Sequence, residues 1–350
     1  MDRWNVQAEL KNRSGHCMTT FGEFLIIYGG RCHSSGTLFN ELWTYNSIHG
    51  SWRQYQAPTE TSTTCVFSSI CTSESSVYIF GGRGYSLYDR ATNLLLSFDV
   101  ISGKWRTLSP EVDDHGVNSP PPLYGSGLFY HNGSLYVLGG IRSNMVVYTM
   151  YKFCLTSSTW SLVIQNEPKP CLDCRIFGTV FKNQLYIFGG PSSFEKNKYE
   201  NVKVYDFSTS AWTTRTANSK DQLAPCLRMY ESYAFFGNYG YLSGGKDLSG
   251  YNSEIWRIDL ETLKWLKLDY TLQTGLIFNC IAVVSGCYLY SYGGIGEHKE
   301  APNKLYRFIL QPPTLYRLSQ ESFCRSLTSK AYLKLLPPSI QDDLKFDIKN

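Results

Sequence analysis

The chain has 350 residues, of which 43% are hydrophobic and only 18% charged, a balance that excludes an intrinsically disordered chain and allows a large core. Its net charge of +4 comes without a block of basic residues, so nucleic acid is not an expected partner. No run approaches the roughly 18 apolar residues of a membrane span, and Met1-Asp2-Arg3-Trp4-Asn5-Val6 lacks the apolar core of a signal peptide. A cytoplasmic protein is expected, with a nuclear share left open, and no membrane.

In chain order, an apolar run ending in Gly-Gly recurs six times. The copies are Leu25-Ile26-Ile27-Tyr28-Gly29-Gly30, Val77-Tyr78-Ile79-Phe80-Gly81-Gly82, Leu135-Tyr136-Val137-Leu138-Gly139-Gly140, Leu185-Tyr186-Ile187-Phe188-Gly189-Gly190, Tyr241-Leu242-Ser243-Gly244-Gly245 and Leu289-Tyr290-Ser291-Tyr292-Gly293-Gly294. The intervals are 52, 58, 50, 55 and 49 residues, an internal repeat with a period near 50 residues. After each of the first five pairs an alternating strand ends in an apolar residue, and a Trp follows seven positions later: Tyr45 to Trp52, Phe98 to Trp105, Phe153 to Trp160, Tyr205 to Trp212 and Ile258 to Trp265. A constant seven fits two antiparallel strands joined by a short turn, so each repeat reads as a four-stranded unit. Past Phe308 the seventh residue is Leu315 instead of Trp, while Trp4-Asn5-Val6-Gln7 reads like the other outer strands. The expectation is an all-β six-bladed propeller over 1–311 whose last blade is completed, and the ring closed, by the N-terminal strand.

From Pro312 the pattern changes. Pro312-Pro313 ends the strand, Thr314 suits a helix N-cap, and Leu315, Leu318, Ser319, Ser322 and Phe323 fall on one face of a short helix. Residues 312–350 are therefore a helical tail, either packed back on the propeller or free to meet a partner. Leu315 and Leu318 discriminate: facing the ring they are core, and standing free they are a docking stripe.

The Gly-Gly and Trp markers resemble the kelch-repeat family over about residues 13–310, which implies a propeller that binds other molecules. Thr314-Leu315-x-x-Leu318-Ser319-x-x-x-Phe323 is similar to the elongin-binding box of von Hippel–Lindau-type substrate receptors, although Cys is commoner than Ser at the small position and Phe323 is bulkier than the usual aliphatic. Leu336-Pro337-x-x-Ile340 is similar to the cullin-2 box, in the expected order and 13 residues after Phe323. With the Arg3 to Val6 start, the whole resembles the kelch substrate receptors of cullin-2 ubiquitin ligases. That resemblance implies elongin B/C, cullin-2 and a RING subunit as partners, and protein C-termini, often glycine-ended, as the guests.

A carboxylate guest needs cations at loop positions on one face. Those next to the Gly-Gly pairs or opening a blade are Arg31, Arg83, Arg142, Lys196, Lys198, Lys246, Arg175, Arg228 and Arg13, with Tyr85, Tyr124 and Tyr230 as walls. Arg13, with His16, also suits a structural role between blades. The rival reading is a kelch scaffold for a chromatin or cytoskeletal protein.

Chemistry of its own is not expected of this chain. The six His residues form no ligand spacing, and Cys171-x-x-Cys174 has neither a second pair nor a His at zinc-site distance, so no metal or other cofactor is expected. The eleven Cys are odd in number and scattered, as reduced thiols are.

Overall fold

Six antiparallel sheets follow one another along the chain and close into a ring. The computed structural model describes residues 10–84, 90–166, 175–188, 198–217, 224–297, 303–326, 332, 335–338 and 340–341. Blade one comprises β1 (Cys17–Phe21), β2 (Phe24–Tyr28), β3 (Glu41–Asn46) and β4 (Ser51–Gln56), and blade two β5 (Ser69–Ser73), β6 (Ser76–Phe80), β7 (Leu95–Asp99) and β8 (Lys104–Ser109). Blade three has β9 (Gly127–His131), β10 (Ser134–Leu138), β13 (Met150–Cys154) and β14 (Thr159–Val163), with a small hairpin, β11 (Ile141–Arg142) and β12 (Met145–Val146), between its second and third strands. Blade four contains β15 (Phe177–Phe181), β16 (Gln184–Phe188), β17 (Asn201–Asp206) and β18 (Ala211–Thr216). In blade five, β19 (Met229–Phe236), β20 (Tyr239–Asp247), β22 (Glu254–Asp259) and β23 (Trp265–Thr271) are joined by the two-residue β21 (Gly250–Tyr251). Blade six shows β24 (Cys280–Val284), β25 (Tyr288–Tyr292) and β26 (Tyr306–Ile309), and α1 (Leu315–Arg325) follows. The segment around Trp4 expected to complete blade six lies outside the described residues, as does the fourth Gly-Gly pair.

Burial explains which run becomes which strand. The second strands are continuous apolar runs (Leu25 to Tyr28, Val77 to Phe80, Leu135 to Leu138) because they are covered on both faces by neighbouring blades. The outermost strands, such as β4 with Arg53 and Gln54, meet water and are polar. Hydrophobic clusters fill the blade interfaces: Ile26, Tyr28 and Leu42 of blade one against Val77, Ile79 and Phe98 of blade two is one, and Leu25 against Ala282, Tyr288 and Tyr290 of blade six is the closing one. The seven-residue pairs are cross-strand partners in register, Tyr45 opposite Trp52, Phe98 opposite Trp105, Phe153 opposite Trp160, Tyr205 opposite Trp212 and Ile258 opposite Trp265.

The double glycine has a specific cause. The N–H of the second glycine donates to a carbonyl that opens the next blade: Gly30 to Cys65 (2.9 Å), Gly82 to Leu123 (2.9 Å), Gly245 to Leu276 (2.7 Å) and, across the closure, Gly294 to Arg13 (2.9 Å). A Cβ on the first glycine would strike that same carbonyl oxygen, at 2.1 Å for Gly29 and 2.4 Å for Gly293.

Candidate functional site

The inner strands of all six blades stand round a central axis, and the segment just ahead of each one forms the mouth of that axis. Six aligned positions, Gly15, Phe67, Gly125, Arg175, Tyr230 and Phe278, all have left-handed backbone, with φ from 55° to 68°. This turns their peptide groups sideways, so that they bond from blade to blade: Phe67 N–H to Gly15 (2.7 Å), Gly125 N–H to Phe67 (2.8 Å), Arg175 N–H to Gly125 (2.9 Å) and Phe278 N–H to Tyr230 (3.1 Å). A bulky residue held this way costs on the order of 1 kcal/mol, and the positions where such a cost persists are candidate functional positions.

The side chains at these positions gather over the axis. Phe67 and Phe278 lie 5.8 Å apart, reaching past blade one, where Gly15 leaves the room: a Cβ there would come within 2.7 Å of Val66. Tyr230 packs on Phe278 at 4.6 Å. Arg83 lays its guanidinium over Tyr124 (4.6 Å) and Phe67 (5.7 Å), and Arg175 over Phe177 (5.2 Å) and Phe278 (5.6 Å). Arg83 is only 8% exposed, yet its Nε and Nη1 are buried with no acceptor among the described residues, and Nη1 of Arg175 is in the same position. Donors left in that state cost about 1–3 kcal/mol each unless a guest supplies acceptors.

Below the mouth runs an axial cavity of about 370 Å3, lined by Arg175, His16, Ser68, Ser126 and Ser232 among others. Burial, reinforced by Arg13 and Arg175, drives the His16 pKa well below its ordinary value, so its imidazole is neutral. Burial likewise raises the Cys280 thiol to about 11 against the opposing pull of Arg175, and raises Cys17 well above its ordinary value. These thiols are protonated and poor nucleophiles at neutral pH. The arrangement is suited to binding: aromatic faces, hydroxyls, and two guanidiniums that can take a carboxylate.

At the other functional region, Thr314 caps α1, its Oγ1 accepting from the N–H of Arg317 at 3.2 Å. The helix lies on the propeller by its polar face. Buried Arg317 donates to Glu23 of the β1–β2 turn, to Ser47 Oγ (2.9 Å) and to Glu321 (3.0 Å). Glu321, also buried, pairs with Arg307 of β26 (3.3 Å), and Arg325 reaches the Ser47 carbonyl (3.1 Å). Ser285 of blade six donates to the other oxygen of Glu23 at 2.5 Å, so the helix is tied to both sides of the ring closure. Leu315 is 85% exposed and Leu318 43% exposed, with Ser319 and Ser322 beside them; Phe323 is half-buried. Farther on, Pro337 is exposed and Leu336 and Ile340 half-buried, with the Gln341 N–H bonded to the Pro337 carbonyl (2.9 Å).

A family model described as the KLHDC2/KLHL20/DRC7 Kelch-repeats domain matches residues 15–216 and 163–326. The chain belongs to the kelch-repeat family. It is 25% identical to human Kelch domain-containing protein 10 over 342 residues, covering 92% of this chain and 75% of the relative. It is 23% identical to the Xenopus tropicalis protein of that name over 333 residues, covering 89% and 79%. A shorter match, 26% over 205 residues, covers 57% of the chain and 20% of the Drosophila melanogaster leucine-zipper-like transcriptional regulator 1 homolog.

Within this kelch ring the candidate cations separate. Arg83, Arg175, Tyr124 and Tyr230 come together at the mouth. Arg31 and Lys246 occupy the strand position aligned with Arg83, Arg31 half-buried between Ser14 and Leu38, and Lys246 exposed with Nζ 4.9 Å over Tyr251. Arg142 does not align with them: it lies one residue farther, exposed in the β11–β12 hairpin, because Ile141 takes the equivalent place opposite Tyr124. Tyr85 and Lys196 lie outside the described residues.

Arg228 is a correction. It is buried and bonded to Glu254 (2.9 Å) and to the Gly244 and Cys226 carbonyls, so it has no donor to offer a guest. It repeats the latch of Arg13, which bonds Glu41 (2.8 Å) and the Gly29 carbonyl (3.0 Å); Glu41 and Glu254 each also accept from a Trp indole two residues on. Lys198 is likewise spent, buried against Glu231 (2.5 Å) and the Arg228 carbonyl (3.0 Å). Phe67 and Phe278 were missed by sequence reasoning. The available signal was their alignment with Arg175 and Tyr230 where each blade opens, which glycine in blades one and three disguises.

Proposed function

We propose that this chain is the substrate-recognition subunit of a cullin-2 RING ubiquitin ligase: the mouth takes protein C-termini, glycine-ended ones among them, and the tail docks elongin B/C and cullin-2, which brings the RING subunit. The observation that carries the reading is the inverted helix. Its charged residues are bolted to the propeller while Leu315 and Leu318, box residues by sequence, face water. An amphipathic helix packed only for its own fold would turn the other way. Burying Leu315 in a partner is worth about 2 kcal/mol.

The mouth supports the guest class. A terminal carboxylate has two oxygens for the unspent donors of Arg83 and Arg175 in a partly dry site, where such pairs are strong, and Phe67, Tyr124, Tyr230 and Phe278 offer faces for the last peptide groups. The Arg3 to Val6 start and the double box resemble kelch domain-containing protein 3 among receptors of this kind. No step of ubiquitin transfer falls to this chain. It acts by proximity, raising the effective concentration of the guest's lysines near the charged carrier.

The test is a pull-down of the full chain and its Leu315→Asp/Pro337→Ala variant with elongin B/C and cullin-2, alongside peptides with free or amidated C-termini. Partner loss confined to the variant, with an unchanged melting temperature, and binding confined to free C-termini are the expected results. A wild-type chain that binds neither partner removes the ligase reading and leaves a kelch scaffold.

A further inference from the structure

The mouth is not symmetric. On the side of blade one, Phe67 and Phe278 meet over Gly15. On the side of blade five, Tyr230 continues from Phe278 onto a run of exposed apolar side chains, Leu227, Met229 and Leu248, the last fully exposed. This run is stiff. Met229 is the cross-strand partner of Lys246, and Asp247 caps the hairpin turn that carries Leu248, accepting from the Ser249 N–H (2.7 Å), the Gly250 N–H (3.1 Å) and Asn252 Nδ2 (2.9 Å). The Cys226 thiol donates to the same carboxylate (3.1 Å), stapling the segment that bears Leu227 beside that turn, and buried Arg228 holds Cys226 from below.

An exposed leucine on a turn fixed by so many bonds is a surface kept in shape without a guest, so that little ordering is needed when one arrives. We infer that a captured chain leaves the mouth over blade five, laying the residues just ahead of its terminus on the shelf of Tyr230, Met229, Leu227 and Leu248. The inference rests on the receptor reading above and adds a second specificity element to it. The occupant is the same captured protein, because the shelf is continuous with the mouth at Tyr230, whereas over blade one Phe67 and Phe278 occupy the rim. Its chemistry follows from the shelf: an apolar residue within a few positions of the terminus, accompanied by an acidic one for exposed Lys246.

The experiment is selection from a library of random peptides, about twelve residues long with free C-termini, on the full chain and on its Met229→Ser/Leu248→Ser variant. Both positions are exposed, so the variant folds as the wild type does. Expected is an apolar preference upstream of the terminus in the wild type that flattens in the variant. The terminal preference stays, and a selected peptide loses roughly tenfold in affinity while its last four residues alone bind both proteins equally. A terminal preference with flat upstream positions in the wild type, or a variant that selects the same upstream residues, overturns the shelf and leaves the receptor reading standing. No terminal preference at all removes both. A wild-type dimer in sedimentation that the variant abolishes makes the shelf a self-contact and overturns the inference as well.

Discussion

Blades one and five each carry an arginine two residues ahead of the left-handed position, Arg13 before Gly15 and Arg228 before Tyr230, and blades two and four place Arg83 and Arg175 beside the same axis. All four are screened from water to a large degree, but their surroundings differ. The first pair finds a glutamate, a strand carbonyl and a loop carbonyl, and every nitrogen is used to lock the blade. The second pair lies on aromatic rings, which satisfy the charge in part and the N–H groups hardly at all. An arginine that the fold has paired is stability, and one that the fold has buried and left unpaired is held for something else. The tail repeats the lesson: Arg317 is bonded to Glu23, Ser47 and Glu321, and the leucines are what remains on offer.

The contrast can be broken by mutation. Arg228→Ala leaves Glu254 only Lys267 and the Trp256 indole and orphans the Gly244 and Cys226 carbonyls, and is expected to cost about 3 kcal/mol in urea unfolding. A cost under about 1 kcal/mol erases the distinction between latch and mouth. Arg317→Met leaves Glu23 and Glu321 without their shared partner and is expected to cost about 2–3 kcal/mol, with hydrogen exchange rising in 315–325 ahead of the blades.

The latch also sets an acid limit. Burial favours protonation of Glu254, but the hydrogen bonds from Lys267, Trp256 and Arg228 outweigh it and lower its pKa from 4.5 to about 2. The unfolded chain therefore binds this proton more readily than the folded one. The stabilisation is complete above pH 4.5 and drains away as the pH falls towards 2. Glu254→Gln is expected to be less stable at pH 7 and to show a shallower loss of stability over that acid window, read from urea midpoints. A pH profile parallel to the wild type's would show that Glu254 does not carry the limit.

Arg83→Met keeps the stem over Phe67 and Tyr124 and removes the unpaired donors. Stability is expected to move by less than about 1 kcal/mol, in either direction, while affinity for free-carboxylate peptides falls at least tenfold. A destabilisation as large as that of Arg228→Ala would mean that Arg83 is a latch too. The smallest effect on stability is expected of Leu315→Ser, within about 0.5 kcal/mol, with loss of the proposed elongin binding as its readout.

The ring was legible because its markers are local. Gly-Gly spacing and the seven-residue step to Trp encode close backbone approach and a short hairpin, and both depend on residues near in sequence. The helix start at Thr314 was legible for the same reason, and so was the composition of its outer stripe. Arginine function was not: Arg175 and Arg228 both open a blade, but Arg175 takes the left-handed position itself and Arg228 stands two residues ahead of it, which decides between a mouth and a latch. Phe67 could not be told from any other strand-flanking aromatic until its left-handed backbone aimed it across Gly15.

The amino-acid sequence by itself determined the number of blades, the cross-strand pairing of each seven-residue step to Trp and the position of the tail helix, because periodic burial and turn chemistry act over short spans of chain. Only the tertiary structure decided which cations are spent, which face of α1 is turned to water and which rings meet over Gly15. Those outcomes depend on acceptors and rings that arrive from distant parts of the chain, Glu23 beside Arg317 and Phe278 beside Phe67, and no local pattern records their arrival.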